Sequence, residues 1–251
     1  MFIQDLPVIS NIKIAENTFL IEVERAIDCD LKPGQFFNIQ VVEGTYPLLR
    51  RPFSISDATE NSIFFMYKVV GEGTKILSQK KSGDKLNVLG PLGNSFSHSY
   101  ENKHFVLIGG GIGIAPFPFL IKNFDKNQDF SVLFGVRNKN EIHNYGIDQI
   151  SYASDDGSVG FNGNAIKLLE EHIKKYKTSN IKIFACGPNP MLRALKNFAA
   201  QKNIECEVSM ESAMACGFGI CQGCPIQFNE NETYKLICKD GPVFNISDIE
   251  I

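Results

Sequence analysis

Apolar and polar positions alternate in short runs along the first hundred residues. In Thr18–Glu24 the side chains of Phe19, Ile21 and Val23 fall on one side, the period of two that marks a half-buried strand. Residues 35–42 follow a Pro33-Gly34 turn, residues 62–70 are rich in β-formers, and residues 85–89 run into a turn expected at 90–93. Short strands punctuated by Gly and Pro predict an antiparallel β-barrel over residues 1–99.

The pattern changes near His104. A continuous apolar run at 105–108 leads into Gly109-Gly110-Gly111-Ile112-Gly113-Ile114-Ala115-Pro116, then an apolar helix to about Asn123. Buried-type strands are expected at 130–134 and 181–185. Ile166, Leu169 and Ile173 recur at helical spacing over 165–176, as do Met191, Leu195 and Phe198 over 190–201. Strands alternating with helices predict βαβ units and a parallel sheet, an α/β domain spanning 100–209. A third segment, 210–251, carries neither pattern.

Length and composition narrow the function. The chain has 251 residues, 43% apolar, enough for one large domain or two smaller ones with packed cores. A net charge of −3 leaves no basic footprint for nucleic acid. No apolar run reaches the length of a membrane span. The N-terminus shows no basic region followed by a long apolar stretch, so no secretory signal is expected. With seven cysteines in a chain of this size, a reducing cytoplasm is the expected compartment, where clustered Cys means metal or catalysis.

Four of those cysteines carry the strongest signal. Cys216, Cys221, Cys224 and Cys238 form C-x4-C-x2-C followed, after thirteen residues, by a fourth Cys. This is the plant-type [2Fe–2S] spacing. Gly217, Gly219 and Gly223 let backbone N–H groups of this loop approach cluster sulfurs. Zinc is the competing reading, but its structural sites pair two C-x2-C-like knuckles, and here three ligands share one loop. Four unliganded thiols are the third. Cys29 and Cys206 read as small buried or half-buried residues, Cys206 facing the core of an alternating strand at 204–208.

The glycine loop between a buried strand and a helix is an anion site by its free N–H groups and helix dipole. Pro116 fits the first helical turn. The Gly-x-Gly-x-x-Gly fingerprint fails, because Gly109, Gly111 and Ile114 occupy its places. A tight turn that binds nothing stays open as the alternative.

Three motifs in order resemble the ferredoxin-reductase superfamily: Arg51-Pro52-Phe53-Ser54, the glycine loop, and Cys186-Gly187-Pro188. The cluster segment, with Cys238-Lys239-Asp240-Gly241-Pro242-Val243-Phe244, is similar to the electron-transfer subunits of the two-subunit, NAD-linked (type B) dihydroorotate dehydrogenases. Pro225 and the Ser212-Ala213 pair depart from that family's pattern beside the cluster.

The resemblance implies FAD on the barrel. Arg51 would pair with a flavin phosphate, Pro52 and Phe53 would hold the strand beside the ring, and Ser54 would hydrogen-bond near the reactive nitrogen. Met66, Tyr67 and Lys68 would continue the site, and Gly73 and Thr74 would cradle the diphosphate. For Tyr67 and Lys68 an ordinary strand remains the alternative. NAD, as substrate, would contact Gly110, Gly111 and Ile112, with Cys186, Gly187 and Pro188 around the nicotinamide. Arg137 would touch the adenosine ribose or a 2′-phosphate, or else be a solvated loop residue.

No protein residue is expected to act as acid, base or nucleophile, since the flavin exchanges electrons both singly and in pairs. The implied partner is an FMN-containing catalytic subunit that oxidises dihydroorotate in pyrimidine biosynthesis, in a heterotetramer of two of each chain. Electrons would run from FMN through the cluster and FAD to NAD+. Phe218 and Ile220 on the cluster loop are the expected partner contact. Rival readings are a subunit of a ferredoxin:NADP-type oxidoreductase, an oxygenase reductase, and a redox-sensing module.

Overall fold

The computed structural model describes residues 1–25, 29–44, 46–97, 103–229 and 233–251. The boundary expected at 99/100 lies outside the described residues.

The N-terminal part is an antiparallel sheet curled into a half-barrel. Its strands are β1 (Phe2–Ala15), β2 (Thr18–Glu24), β3 (Phe36–Gln40), β4 (Arg51–Ser54), β5 (Asp57–Ala58), β6 (Ser62–Lys68) and β7 (Lys85–Leu92), with a short helix α1 (Glu72–Leu77) before β7. Their order is β4-β3-β7-β1-β2-β6-β5. Strand β1 changes partner along its length: Phe2 to Pro7 pair with β7, and Val8 to Ala15 with β2. That exchange folds the sheet over a core containing Leu6, Ile21, Phe37, Ile39, Phe65 and Val88. The turn expected at 90–93 is corrected. Strand β7 continues to Leu92, because Gly90 lies against the Phe37 ring where no side chain would fit, and the chain turns at Gly93 with φ +76°.

The second part is a mostly parallel sheet. It contains β8 (His104–Gly110), helix α2 (Phe117–Lys122), β9 (Phe130–Val136), β10 (Ser151–Ser154), β11 (Phe161–Asn162), α3 (Ala165–His172), β12 (Ile181–Cys186), α4 (Asn189–Lys202) and β13 (Glu205–Ser209). All seven residues of central β8 are buried, as a two-sided parallel strand requires. The sheet order β11-β10-β9-β8-β12-β13 grows in both directions from β8, so the topological switch point lies between β8 and β12. Ligands of open α/β sheets bind at the C-terminal ends of strands beside such a point.

Residues 210–251 are not a free-standing module. They contribute the hairpin β14 (Pro225–Gln227) and β15 (Tyr234–Leu236), a helical turn α5 (Ile237–Asp240), and β16 (Val243–Asn245). Strand β16 adds antiparallel to β13 at the edge of the second sheet. Asn94 ties the segment to the half-barrel, its N–H donating to Gly241 O (2.6 Å) and its Nδ2 to Val243 O (2.8 Å). One core joins Phe36, Leu89 and Leu92 of the half-barrel to Met214, Cys224 and Cys238 of the segment and to Ala185 and Val208 of the second sheet. The cysteine loop is thereby wedged into the joint between the two sheets. No helix among the described residues is long and apolar enough to cross a membrane.

His143 packs edge-on against Phe134 with its Nδ1 buried and unpartnered among the described residues. Burial pushes its pKa down to about 4. His172 is lowered to about 4 by burial, then by Lys175 and His104. The unfolded chain therefore takes up these protons first, so their stabilising contribution is present above pH 6.5 and is lost as pH falls from 6.5 toward 4. For His143 alone, stability should be lower by about 2 kcal/mol at pH 5 than at pH 7.5. Urea midpoints at the two pH values measure this, and a His143→Phe variant that kept the full slope would count against the assignment.

Candidate functional site

Two cavities and the cysteine loop adjoin one another. The first cavity, of about 390 Å³, opens between the half-barrel and the second sheet. Arg51, Pro52, Phe53 and Ser54 of β4, Met66, Tyr67 and Lys68 of β6, and Thr74 of α1 all line it. Eight of the nine residues expected around flavin are thus brought together from three elements. The ninth, Gly73, lies beneath them. A Cβ there would come within 2.5 Å of Arg51 Nε, so a side chain at 73 would push the guanidinium off its path across the first turn of α1. Neighbouring Arg50 points the other way, donating to Asn87 O (3.0 Å) and to Asn38 O.

Two side chains are already committed locally. Tyr67 is buried, with its hydroxyl donating to Asn11 Oδ1 of β1 at 3.0 Å, and burial pushes its pKa up to about 12 against that hydrogen bond. Its side chain is part of the half-barrel core as well as of the cavity wall. The Thr74 hydroxyl donates to Gly71 O (3.0 Å) and accepts from the N–H of Val70 (2.9 Å) and Gly71 (3.2 Å), fixing the start of α1.

The far wall of this cavity comes from residues that the sequence did not assign to the flavin site: Ser209, Met210, Glu211, Ser212, Met214 and Pro242. They are distant in sequence from the flavin motif, and only the wedge of the cluster segment places them there. Glu211 faces the cavity, and desolvation by the surrounding protein pushes its pKa up.

The second cavity, of about 420 Å³, lies at the C-terminal ends of the parallel strands. Gly110, Gly111, Val136, Arg137, Asp155, Pro188 and Met191 line it, and Lys68 lines both cavities. The glycines have distinct tasks. Gly111 has φ +55° and faces open space, so its backbone is accessible. Gly113 approaches Cys186 O so closely that a Cβ would collide with it, which seats the loop on the end of β12. Gly109 and Gly110 belong to β8, and Pro116 precedes α2 as its N-cap. Ile112 lines the first cavity, not the second. Cys186 and Gly187 line neither. Cys186 is the buried last residue of β12, where burial pushes its thiol pKa well up, Glu211 adds to this and a Ser209 hydrogen bond opposes it.

Arg137 is paired. Glu141 accepts from its Nε (2.9 Å), its NH2 (2.5 Å) and its backbone N–H (3.1 Å), and from Lys68 Nζ across the domain joint (2.7 Å). Burial pushes the Glu141 carboxyl up, but the hydrogen bonds from Arg137 and Lys68 outweigh it and hold the pKa at about 2. The Glu141 carboxylate therefore stays ionised across the physiological range, between Lys68 and Arg137.

At the cysteine loop the thiols are grouped in pairs. Cys221 N–H donates to Cys216 Sγ and Cys238 N–H to Cys224 Sγ, each at 3.4 Å. Burial opposes ionisation of Cys216, but backbone N–H groups of Cys221, Phe218 and Ile220 prevail and lower its pKa to about 6. Cys238 is raised to about 12 by burial and by Cys224. Cys216 is thus prepared as a thiolate, and Cys238, on α5, would release its proton on binding metal. Among the described residues no three His, Cys, Asp or Glu side chains converge as a single-ion site. Two pairs suit two irons better than one zinc, and the loop's N–H groups suit a sulfur-rich cluster.

This architecture defines a ferredoxin-reductase-like oxidoreductase with an iron–sulfur segment. The solved structure of an NADH-dependent reduced ferredoxin–NADP oxidoreductase superposes with a TM-score of 0.84 at 28% identity, covering 98% of this chain and 89% of that one. A Neisseria gonorrhoeae ferredoxin NADP+ reductase with bound FAD and NADP shares the fold (TM-score 0.64, 14% identity, 80% of this chain and 91% of that one). The family described as the iron–sulfur cluster binding domain of dihydroorotate dehydrogenase B matches residues 211–250. The Caldanaerobacter subterraneus dihydroorotate dehydrogenase B (NAD(+)) electron transfer subunit is 38% identical over 84% of each chain, and that of Fusobacterium nucleatum 36% over the full length of both. The chain belongs to the family of dihydroorotate dehydrogenase B electron transfer subunits.

Proposed function

We propose that this protein passes electrons between a dihydroorotate-oxidising catalytic subunit and NAD+, using a [2Fe–2S] cluster and FAD. The carrying observation is adjacency: one cavity is walled by the flavin motif on one side and the cluster segment on the other, and it shares Lys68 with the nucleotide cavity. The flavin supplies the conversion between single electrons and hydride. The chain's own residues bind and orient. Arg51 holds a flavin phosphate with a forked guanidinium, Pro52 to Ser54 and Met66 border the ring, and Gly73 gives Arg51 its path. Gly110, Gly111 and Pro188 receive the dinucleotide. Cys216, Cys221, Cys224 and Cys238 hold the cluster.

The pairing of Arg137 with Glu141 supports NAD over NADP, because the guanidinium is already engaged by a carboxylate and Asp155 lines the same cavity. The partner reading rests on exposed apolar groups beside the cluster, Ile220 (75% exposed) and Phe218 (38%). The partner is an FMN subunit, in a complex of two of each chain in the cytoplasm, with residues 1–99, 100–209 and 210–251 as the working division of this chain.

An absorption spectrum with co-purification tests the whole reading. Flavin and [2Fe–2S] bands, NADH-specific dye reduction and a dihydroorotate-oxidising partner are expected together. A colourless chain, or NADPH preference, would overturn it. For Arg51→Ala, loss of a charge-assisted contact of about 1.5–3 kcal/mol should weaken FAD binding roughly 10- to 150-fold. Fluorescence of released flavin reads this, and unchanged retention would remove Arg51 from the site.

A further inference from the structure

Asn38 is fully buried (0% exposed), and neither atom of its side-chain amide has a hydrogen-bond partner among the described residues. Leaving such a group unsatisfied costs about 1–3 kcal/mol. Its place in the fold shows where the amide is directed. Along β3 the side chains alternate: Phe37 and Ile39 enter the barrel core, while Phe36 and Asn38 face the other way. Phe36 lines the flavin cavity. Asn38, two residues on, meets the cysteine loop. Its Nδ2 is 2.7 Å from where a Cβ on Gly217 would stand, with Leu92 Cδ1 3.2 Å from the same point. Gly217 has φ +82° and directly follows Cys216. The amide is therefore packed against the turn that also points the N–H groups of Phe218, Ile220 and Cys221 at Cys216 Sγ. Three backbone N–H groups of that turn thus serve the sulfur, and the Asn38 amide lies on the half-barrel side of the same turn.

We propose that Asn38 Nδ2–H donates a hydrogen bond to sulfur at the Cys216 edge of the cluster, and so sets the cluster's reduction potential from the flavin-facing side. Donors to sulfur favour the reduced, more negative state. The inference rests on the [2Fe–2S] reading above. It makes Asn38 a tuning residue that holds no metal and contacts no substrate. It also gives Gly217 a second reason to be glycine, since a side chain there would displace the amide.

The test is a potentiometric titration of wild type and Asn38→Leu, followed by the EPR signal of the reduced cluster. The leucine keeps the volume and removes the donor. The equilibrium constant for one-electron reduction should fall about tenfold, a downward move of about 59 mV. An unchanged potential at full iron content would overturn the proposal. If the leucine variant does not retain iron, the wild type decides. Labelled with ¹⁵N only at asparagine side-chain amides, its reduced form should show a ¹⁵N coupling to the cluster spin, and absence of coupling refutes the bond. A wild-type chain with no [2Fe–2S] signal at all would instead bring down the cluster reading and this inference with it.

Discussion

Cys224→Ser should leave a chain that binds FAD and reduces dyes with NADH, yet no longer exchanges electrons with its partner. Cys224 is buried and accepts the Cys238 N–H, so it anchors one of the two thiol pairs. Serine is a poor replacement for a soft thiolate at iron. Loss of an outer-shell partner of a metal site already costs about 10–100-fold, and loss of a ligand should exceed the upper figure in partner-coupled turnover. Dye reduction is the internal control, because the flavin and nucleotide cavities draw nothing from the Cys224 side chain. Partner-coupled turnover near the wild-type rate, measured on the assembled complex, would show that electrons bypass these cysteines.

A second large effect is expected far from the cofactors. Lys182, on β12, is 1% exposed and paired with Glu205 (2.6 Å) and Glu207 (3.0 Å) on β13. Glu205 also meets Lys103 (2.5 Å), and Glu207 accepts the Ser97 N–H (2.9 Å). Lys182→Ala removes the cation at the centre and leaves buried carboxylate behind. Breaking a buried pair in this way costs about 3–5 kcal/mol. The urea midpoint should fall with an unchanged slope. A loss under 1 kcal/mol would mean that water or the remaining lysine compensates. Replacing all three charged residues by apolar ones of similar volume should recover much of the loss, since the cost lies in keeping carboxylate in the interior once its central cation is gone.

The two predictions differ in how visible their residues are in the sequence. The four cysteines announce themselves, because ligand spacing on a short loop is a local property. The same holds for Arg51-Pro52-Phe53-Ser54 and for the strands and helices of the α/β region, whose periods of 2 and 3.6 are carried by neighbouring residues. Lys182 reads as an ordinary charged residue in a strand, and only its alignment with Glu205 and Glu207 across β12 and β13 makes it a buried charge. Strand β1 is hard to read for a related reason. Its two halves pair with different strands, so no single alternation runs its full length.

Within the site, local motif and tertiary position also part company. The glycine loop is legible as a loop, but which glycine opens to a ligand and which packs on β12 depends on where β12 lies. Ile112 is in the loop yet faces the flavin cavity, and Cys186 is in a signature motif yet is buried beneath it. Tyr67 turns its hydroxyl to Asn11, fifty-six residues away in sequence.

The sequence by itself determined the fold class, the C-x4-C-x2-C…C spacing and the Arg51-Pro52-Phe53-Ser54 motif, because each depends on the chemistry of a few consecutive positions. Tertiary structure alone decided that Ser209 to Ser212 and Met214 close the first cavity, that Glu141 joins Lys68 to Arg137, and that Asn38 meets the cysteine loop. Those contacts bring together side chains far apart along the chain, and no local pattern records which distant surface a buried polar group will face.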